Sequence, residues 1–150
     1  MSCCLPALFV SPFFIIFGFV FRSMIVRGRR RAEAKEELAD HEIIKIEDTA
    51  AFKGQDSSGE HQDKGKGVLA LTPHKLYFLL WMPKVETEIY VSAMTSVEQV
   101  DKFMGKADKS KKKLLQVNFE NDAGHPDSVA WLVPKIDEWE KAIQEAIDAR

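Results

Sequence analysis

Two clusters in this sequence have the side chains that metal or acid–base chemistry would need: His61 beside Glu60 and Asp63, and His125 beside Asp122 and Asp127. Imidazole with two carboxylates could hold a divalent ion weakly, but each set sits in a polar, turn-rich stretch and reads as an ordinary loop. His41 and His74 stand apart from both. No H-E-x-x-H, no phosphate-cradling G-x-x-x-x-G-K-[ST] and no serine in a nucleophile-elbow setting occurs. The expectation is a protein without catalysis, metal or cofactor.

The remaining chemistry is cationic. Arg22, Arg27, Arg29, Arg30 and Arg31 crowd into one stretch, FRSMIVRGRRR, directly after the apolar run LPALFVSPFFIIFGFVF. A membrane-spanning helix needs about 20 mostly apolar residues, and basic residues gather on its cytoplasmic side. Residues 1–31 are therefore expected to be a transmembrane anchor. The arginines would fix its orientation and hold the interface, placing the N-terminus outside and the C-terminal part in the cytoplasm as a single-pass protein of the cell membrane. A cleaved signal peptide would carry its charge before the apolar run. Cys3 and Cys4 are the only cysteines, so no disulfide framework or cysteine-based zinc site can form downstream.

A second cationic group, GKADKSKKK, carries Lys106, Lys109, Lys111, Lys112 and Lys113 against one acid, Asp108. Such a run suits either a solvated hairpin loop or contact with anionic lipid, which lysine serves as a diffuse charge. A third stretch, KGQDSSGEHQDKGKG, mixes Lys53, Lys64 and Lys66 with Asp56, Glu60 and Asp63. Its glycines suit a mobile connection, and Lys53, Gln55, Asp56, Lys64 and Lys66 form a candidate loop for a protein partner. The whole chain sums to −2, and residues 1–31 carry five arginines and no acid, which leaves −7 on residues 32–150. An acidic part without arginine before Arg150 argues against nucleic-acid binding.

The elements that must position these groups follow from periodicity. Residues 32–41, AEAKEELADH, are rich in helix formers with almost no apolar face and read as a helical, solvated stalk. From residue 42 onward, period-two patterns dominate: EIIKIEDTAAF, GVLALT, KLYFLLWM, KVETEIYV, TSVEQV, LLQVNFEN and SVAWLV. These predict seven short strands, each sheet with one wet face, and turns at Pro73-His74 and Met82-Pro83-Lys84. In KIDEWEKAIQEAIDAR the period changes: Ile136, Trp139, Ala142, Ile143, Ala146 and Ile147 make one apolar stripe on a charged helix, which must dock on the sheets.

Seven strands followed by one capping helix resembles the pleckstrin-homology-like superfold. The stretches GKGVLALTPHKLYFLLW and DSVAWLVPKIDEWEKAI look like small bacterial membrane-anchored proteins of that class, close to GRAM-type domains. The resemblance covers about residues 42–147. It implies a seven-stranded antiparallel barrel or sandwich over residues 42–150, capped by the C-terminal helix. With the anchor, the expected fold class is an N-terminal transmembrane helix plus an α+β PH-like domain. Members that hold phosphoinositides have a Lys/Arg-rich loop between their first two strands, and residues 53–67 depart from that pattern.

The expected function is a scaffold or adaptor that presents this module to a protein partner. The alternative is a lipid or small-ligand protein that uses the apolar interior beneath the Trp139 helix. The strand order of such folds further predicts that the Lys106–Lys113 loop faces the membrane while the Lys53–Gly67 loop lies at the opposite end.

Overall fold

The computed structural model describes the backbone of residues 12–150 and the side chains of residues 24–150. Helix α1 spans Pro12–Glu37 and leads into strand β1, Lys45–Gln55. A single 3-10 turn, Asp56–Ser58, follows. Next come β2 (Gly65–Leu71), β3 (Lys75–Leu80) and β4 (Val85–Tyr90), then a second 3-10 turn at Val91–Ala93 and β5 (Met94–Val100). Two very short strands, β6 (Lys102–Phe103) and β7 (Lys106–Ala107), precede β8 (Leu114–Glu120), β9 (Pro126–Leu132) and helix α2 (Ile136–Asp148).

Seven of these strands form one antiparallel sheet in the order β4-β3-β2-β1-β9-β8-β5, while β6 and β7 pair only with each other. The long sheet curls so that its two ends face one another, and α2 closes the interior. Alternation along the strands decides what points inward: Leu69 and Leu71, Leu76 and Phe78, Leu115 and Val117, Val129 and Trp131. From α2, Trp139, Ile143, Ala146 and Ile147 complete this core, with Ile136 and Ala142 packed at its margin. The C-terminal residue ties the closure: Arg150 Nη1 donates to the carbonyls of Val91, Ser92 and Met94, the last at 2.6 Å, across the passage from β4 to β5.

At the centre, the rings of Phe52 and Phe78 stack 5.4 Å apart and Trp131 packs against both at about 6 Å. Gly67 makes this possible. A Cβ there would lie 2.4 Å from the Leu79 carbonyl oxygen and 2.5 Å from the Phe78 ring.

The outer face of the β2–β3 region is not wet. Val68, Ala70, Tyr77 and Leu79 are fully covered, and the cover is α1: Ala34 and Leu38, both 0% exposed, pack on them with Ile43 and Ile46. Residues 32–41, read above as a solvated stalk, thus continue α1 and turn onto the sheet. The face that docks also carries charge. Arg27 and Arg31, one helical turn apart, both donate to Asp48, while Arg30 donates to the Trp81 carbonyl at 3.2 Å and to Glu33.

The transmembrane helix expected from the sequence is corrected here: among the described residues, no helix is long and apolar enough to cross a membrane. Within α1 the apolar stretch from residue 12 to residue 21 covers only about 15 Å at 1.5 Å per residue, half of a hydrocarbon core, before Arg22 and the arginine cluster enter the same helix. The first part of the apolar run, with Cys3 and Cys4, lies outside the described residues. The fold is thus a PH-like sheet and C-terminal helix with an N-terminal helix laid against the sheet's outer face.

Candidate functional site

The residue groups singled out by charge meet at one place. Strands β6 and β7 form a hairpin whose two turn residues, Met104 and Gly105, both have positive φ (50° and 74°), the signature of a tight two-residue turn that follows strand twist. This hairpin folds over the outer face of β8 and β9. Phe103 packs with Leu114 and Ala130, with Val100, Met104 and Leu132 alongside. An apolar patch thereby forms in the middle of the lysine-rich connection and fastens it to the domain.

The other wall comes from the connection between β1 and β2. The register of β1 against β9 slips between Phe52 and Gly54, a bulge that places Lys53 between them. Gly54 has φ 129°, a conformation side chains rarely adopt, and a Cβ there would press on Gln62. Lys53 Nζ meets Asp108 Oδ1 at 2.5 Å, across 55 residues of chain. Asp108 also accepts from the backbone and hydroxyl of Ser110. These contacts, Lys53 foremost, hold its carboxyl far below the usual carboxylate range. Lys106 Nζ meets Glu60 Oε1 at 2.9 Å, a contact more than half exposed on both sides and worth little by itself.

The β1–β2 connection is held in shape by polar contacts within the domain. Gln62 and Gln55 exchange hydrogen bonds, the Gln55 N–H donating to Gln62 Oε1 at 2.7 Å and Gln62 Nε2 returning to the Gln55 carbonyl at 2.8 Å. Asp127, only 5% exposed, accepts from Gln55 Nε2, the Ser57 N–H and hydroxyl, and the Ser128 N–H. Burial is the largest single influence on its carboxyl and pushes the pKa up. The donors from Ser57, Gln55 and Ser128 together outweigh it and hold the pKa below the ordinary value. Asp127 has no sequence signature beyond an acid at the start of a strand, and sequence reasoning placed it only near His125.

Between the two walls lies a pocket of about 360 Å³, with Phe103, Met104 and Leu114 along its base and Lys53, Lys64, Lys106 and Lys109 around it, interrupted by Glu60 and Asp108. Four bases against two acids make it a positive spot on an acidic domain. The structure thus brings Lys53, Lys64, Lys106 and Lys109 together. It leaves Lys66, Lys111, Lys112 and Lys113 exposed outside the pocket, and turns Asp56 toward a different groove with Thr95, Asn118 and Asp127. Gln55 serves the wall. The expectation that the Lys106–Lys113 and Lys53–Gly67 loops occupy opposite ends is overturned by the contacts of Lys53 with Asp108 and of Lys106 with Glu60, because the β6–β7 hairpin folds back over the sheet instead of extending from its end.

The arginines lie elsewhere. Asp48 gathers Arg27 and Arg31, Arg30 caps the Trp81 carbonyl, Arg29 is exposed, and the side chain of Arg22 lies outside the described residues. Asp48 sits where β1 slips register against β2. Its carboxyl is pulled down to about 2, first by the Arg27 guanidinium, against the opposing effect of burial, and further by Arg31. Among the described residues, no three His, Cys, Asp or Glu side chains gather as a metal site would require. Glu60 turns to Lys106 and Asp127 to Ser57.

No family model matches the chain, and no curated protein matches it. Among solved structures, it is similar to the C-terminal domain of an unknown protein from Leishmania infantum, at 16% identity and a TM-score of 0.51, covering 77% of this chain and 92% of that one. It is also similar to the N-terminal PH domain of Vps36, at 10% identity and a TM-score of 0.52, covering 73% of this chain and 80% of that domain. The likeness establishes a PH-like fold and nothing finer.

Proposed function

We propose that this chain is a non-catalytic scaffold or adaptor whose lysine-rimmed pocket holds an acidic, apolar-anchored segment of a protein partner. The observation that carries the reading is the convergence of two separate connections, residues 53–64 and 103–109, on one pocket with an apolar base and a basic rim. A Leu or Phe side chain buried on Phe103, Met104 and Leu114 contributes about 1.5–3 kcal/mol. Carboxylates flanking that anchor meet Lys64 and Lys109, which form no ion pair among the described residues. The polar network around Asp127 and Gln62 holds one wall in place, which lowers the ordering cost of binding.

The competing reading, a lipid or small ligand inside the barrel, finds less support. Phe52, Phe78 and Trp131 fill the centre against one another, and Trp139 and Ile143 close it from α2.

Selection of short random peptides on the full chain tests the proposal. Recovered sequences should carry Asp or Glu on both sides of a bulky apolar residue. The Lys64→Gln/Lys109→Gln double variant should bind them about five- to thirtyfold more weakly, from two charge contacts of about 0.5–1 kcal/mol each. Recovery of basic or uncharged sequences, or equal binding by the double variant, would refute it.

A further inference from the structure

Strand β4 ends the sheet order, so β3 alone pairs with it. The phase of that ladder can be read from one bond. The Val91 N–H donates to the His74 carbonyl at 2.8 Å, at the position that continues the Lys75–Tyr90 register. Antiparallel ladders alternate bonded and non-bonded pairs. Ile89, Thr87 and Val85 therefore direct their N–H and C=O groups toward β3, while Glu86, Glu88 and Tyr90 direct theirs to the open side. Among the described residues, no turn, loop or cap hydrogen bond takes up those outward groups.

Proteins blunt such edges by covering or charging them, because a row of unpaired backbone groups is a template for another strand. Here the edge borders a groove of about 320 Å³ that runs from Thr87 and Ile89 to Phe119 and Glu120 at the end of β8 and Asp122 in the β8–β9 turn. Three carboxylates line it, Glu88, Glu120 and Asp122, and no basic side chain does. Lys75 holds Glu88 at 2.6 Å, but Glu120 and Asp122 form no ion pair among the described residues. At the end of the strand Tyr90 is 56% exposed. No residue of this groove lines the lysine-rimmed pocket.

We propose that an extended basic segment of a partner protein adds to β4 as a further strand. Its backbone pairs with Glu86, Glu88 and Tyr90, and its lysines or arginines lie against Glu120 and Asp122. Backbone hydrogen bonds supply affinity in this mode, and the alternating side chains select the partner. The −7 carried by residues 32–150 favours approach of a cationic segment, and an acidic one would meet like charge on both sides of the strand.

Amide hydrogen exchange on the full chain tests this, with the peptide Lys-Val-Lys-Val-Lys-Val-Lys as probe and Glu-Val-Glu-Val-Glu-Val-Glu as control. In the free protein the amides of Glu86, Glu88 and Tyr90 should exchange fast while those of Thr87 and Ile89 are protected. The basic probe should slow the first three at least about tenfold and leave the other two unchanged. Glu88→Pro removes one outward N–H and leaves the β3 ladder intact, so it should abolish the protection. The proposal is overturned by binding without protection of the three outward amides, or by equal protection from the acidic control. Protection that appears without peptide and grows with protein concentration would instead assign the edge to a second copy of this chain, and would also overturn it.

Discussion

Replacing Asp48 by Asn removes the charge that holds α1 on the domain while keeping the side chain's shape. In the native chain Arg27 Nε and Nη2 grip the two carboxylate oxygens at 3.0 and 2.8 Å, and Arg31 Nη1 adds a third contact at 3.1 Å. A carboxyl moved from 3.8 to about 2 corresponds to roughly 2.4 kcal/mol at about 1.36 kcal/mol per unit. The Asp48 side chain is 14% exposed, but the two arginines are 45% and 42% exposed. Solvent screening therefore reduces the figure to about 1–1.5 kcal/mol. The packing of Ala34 and Leu38 persists in the variant, so α1 stays docked but opens more often. Amide exchange of residues 30–38 should rise about five- to thirteenfold relative to β2 and β3. The sign with pH follows from a depressed carboxyl: the contribution is complete above the unfolded value of about 4 and is lost as pH falls through about 2. Exchange of α1 in the native chain should climb across that window, and in Asp48→Asn it should not. Equal α1 exchange in the two proteins at neutral pH would refute the latch.

Gly67→Ala forces a methyl into the Leu79 carbonyl and the Phe78 ring, so denaturant melts should show a loss of about 1–3 kcal/mol or more, and an unchanged midpoint would mean that the aromatic stack yields freely. Asp127→Ala leaves the donors of Ser57, Gln55 and Ser128 without their acceptor; a loss of about 1–3 kcal/mol should come with faster proteolysis within residues 56–64, and an equally resistant loop would contradict the role given to this acid. Trp139→Ala removes a side chain 1% exposed from the helix that closes the barrel, and calorimetry should register about 3–5 kcal/mol.

The stripe on α2 was legible because Ile136, Trp139, Ile143 and Ile147 repeat at helical spacing among charged residues, and all but Ile136 are buried in the structure. The strands were legible from their alternation. The cover of β2 and β3 was missed, although Val68–Leu71 and Leu76–Leu80 read as unbroken apolar runs, and such runs mean burial on both faces. What covers them is faint in sequence: in AEAKEEL only Ala34 and Leu38 are apolar on the docked face, and their continuation on that face is Arg27 and Arg31, which signal charge and not burial. The pocket was invisible for a different reason. The hairpin turns on Met104-Gly105 without the Asn-Gly or Asp-Gly pair that announces such a turn, so the lysine run read as an open loop. The bulges that aim Asp48 at α1 and Lys53 at Asp108 shift pairing by a single position, and of these only Gly54 left a trace.

The most direct test of the central claim is a titration of the isotopically labelled full chain with an acidic peptide selected on it, following every backbone amide by NMR. The largest shift changes should fall on residues 53, 60–64 and 103–109, the two walls and base of the pocket, and in Lys64→Gln/Lys109→Gln the same changes should need about five- to thirtyfold more peptide. Changes centred on the interior around Phe52, Phe78 and Trp131, or on the α2 face around Trp139, with the pocket amides unmoved, would contradict it.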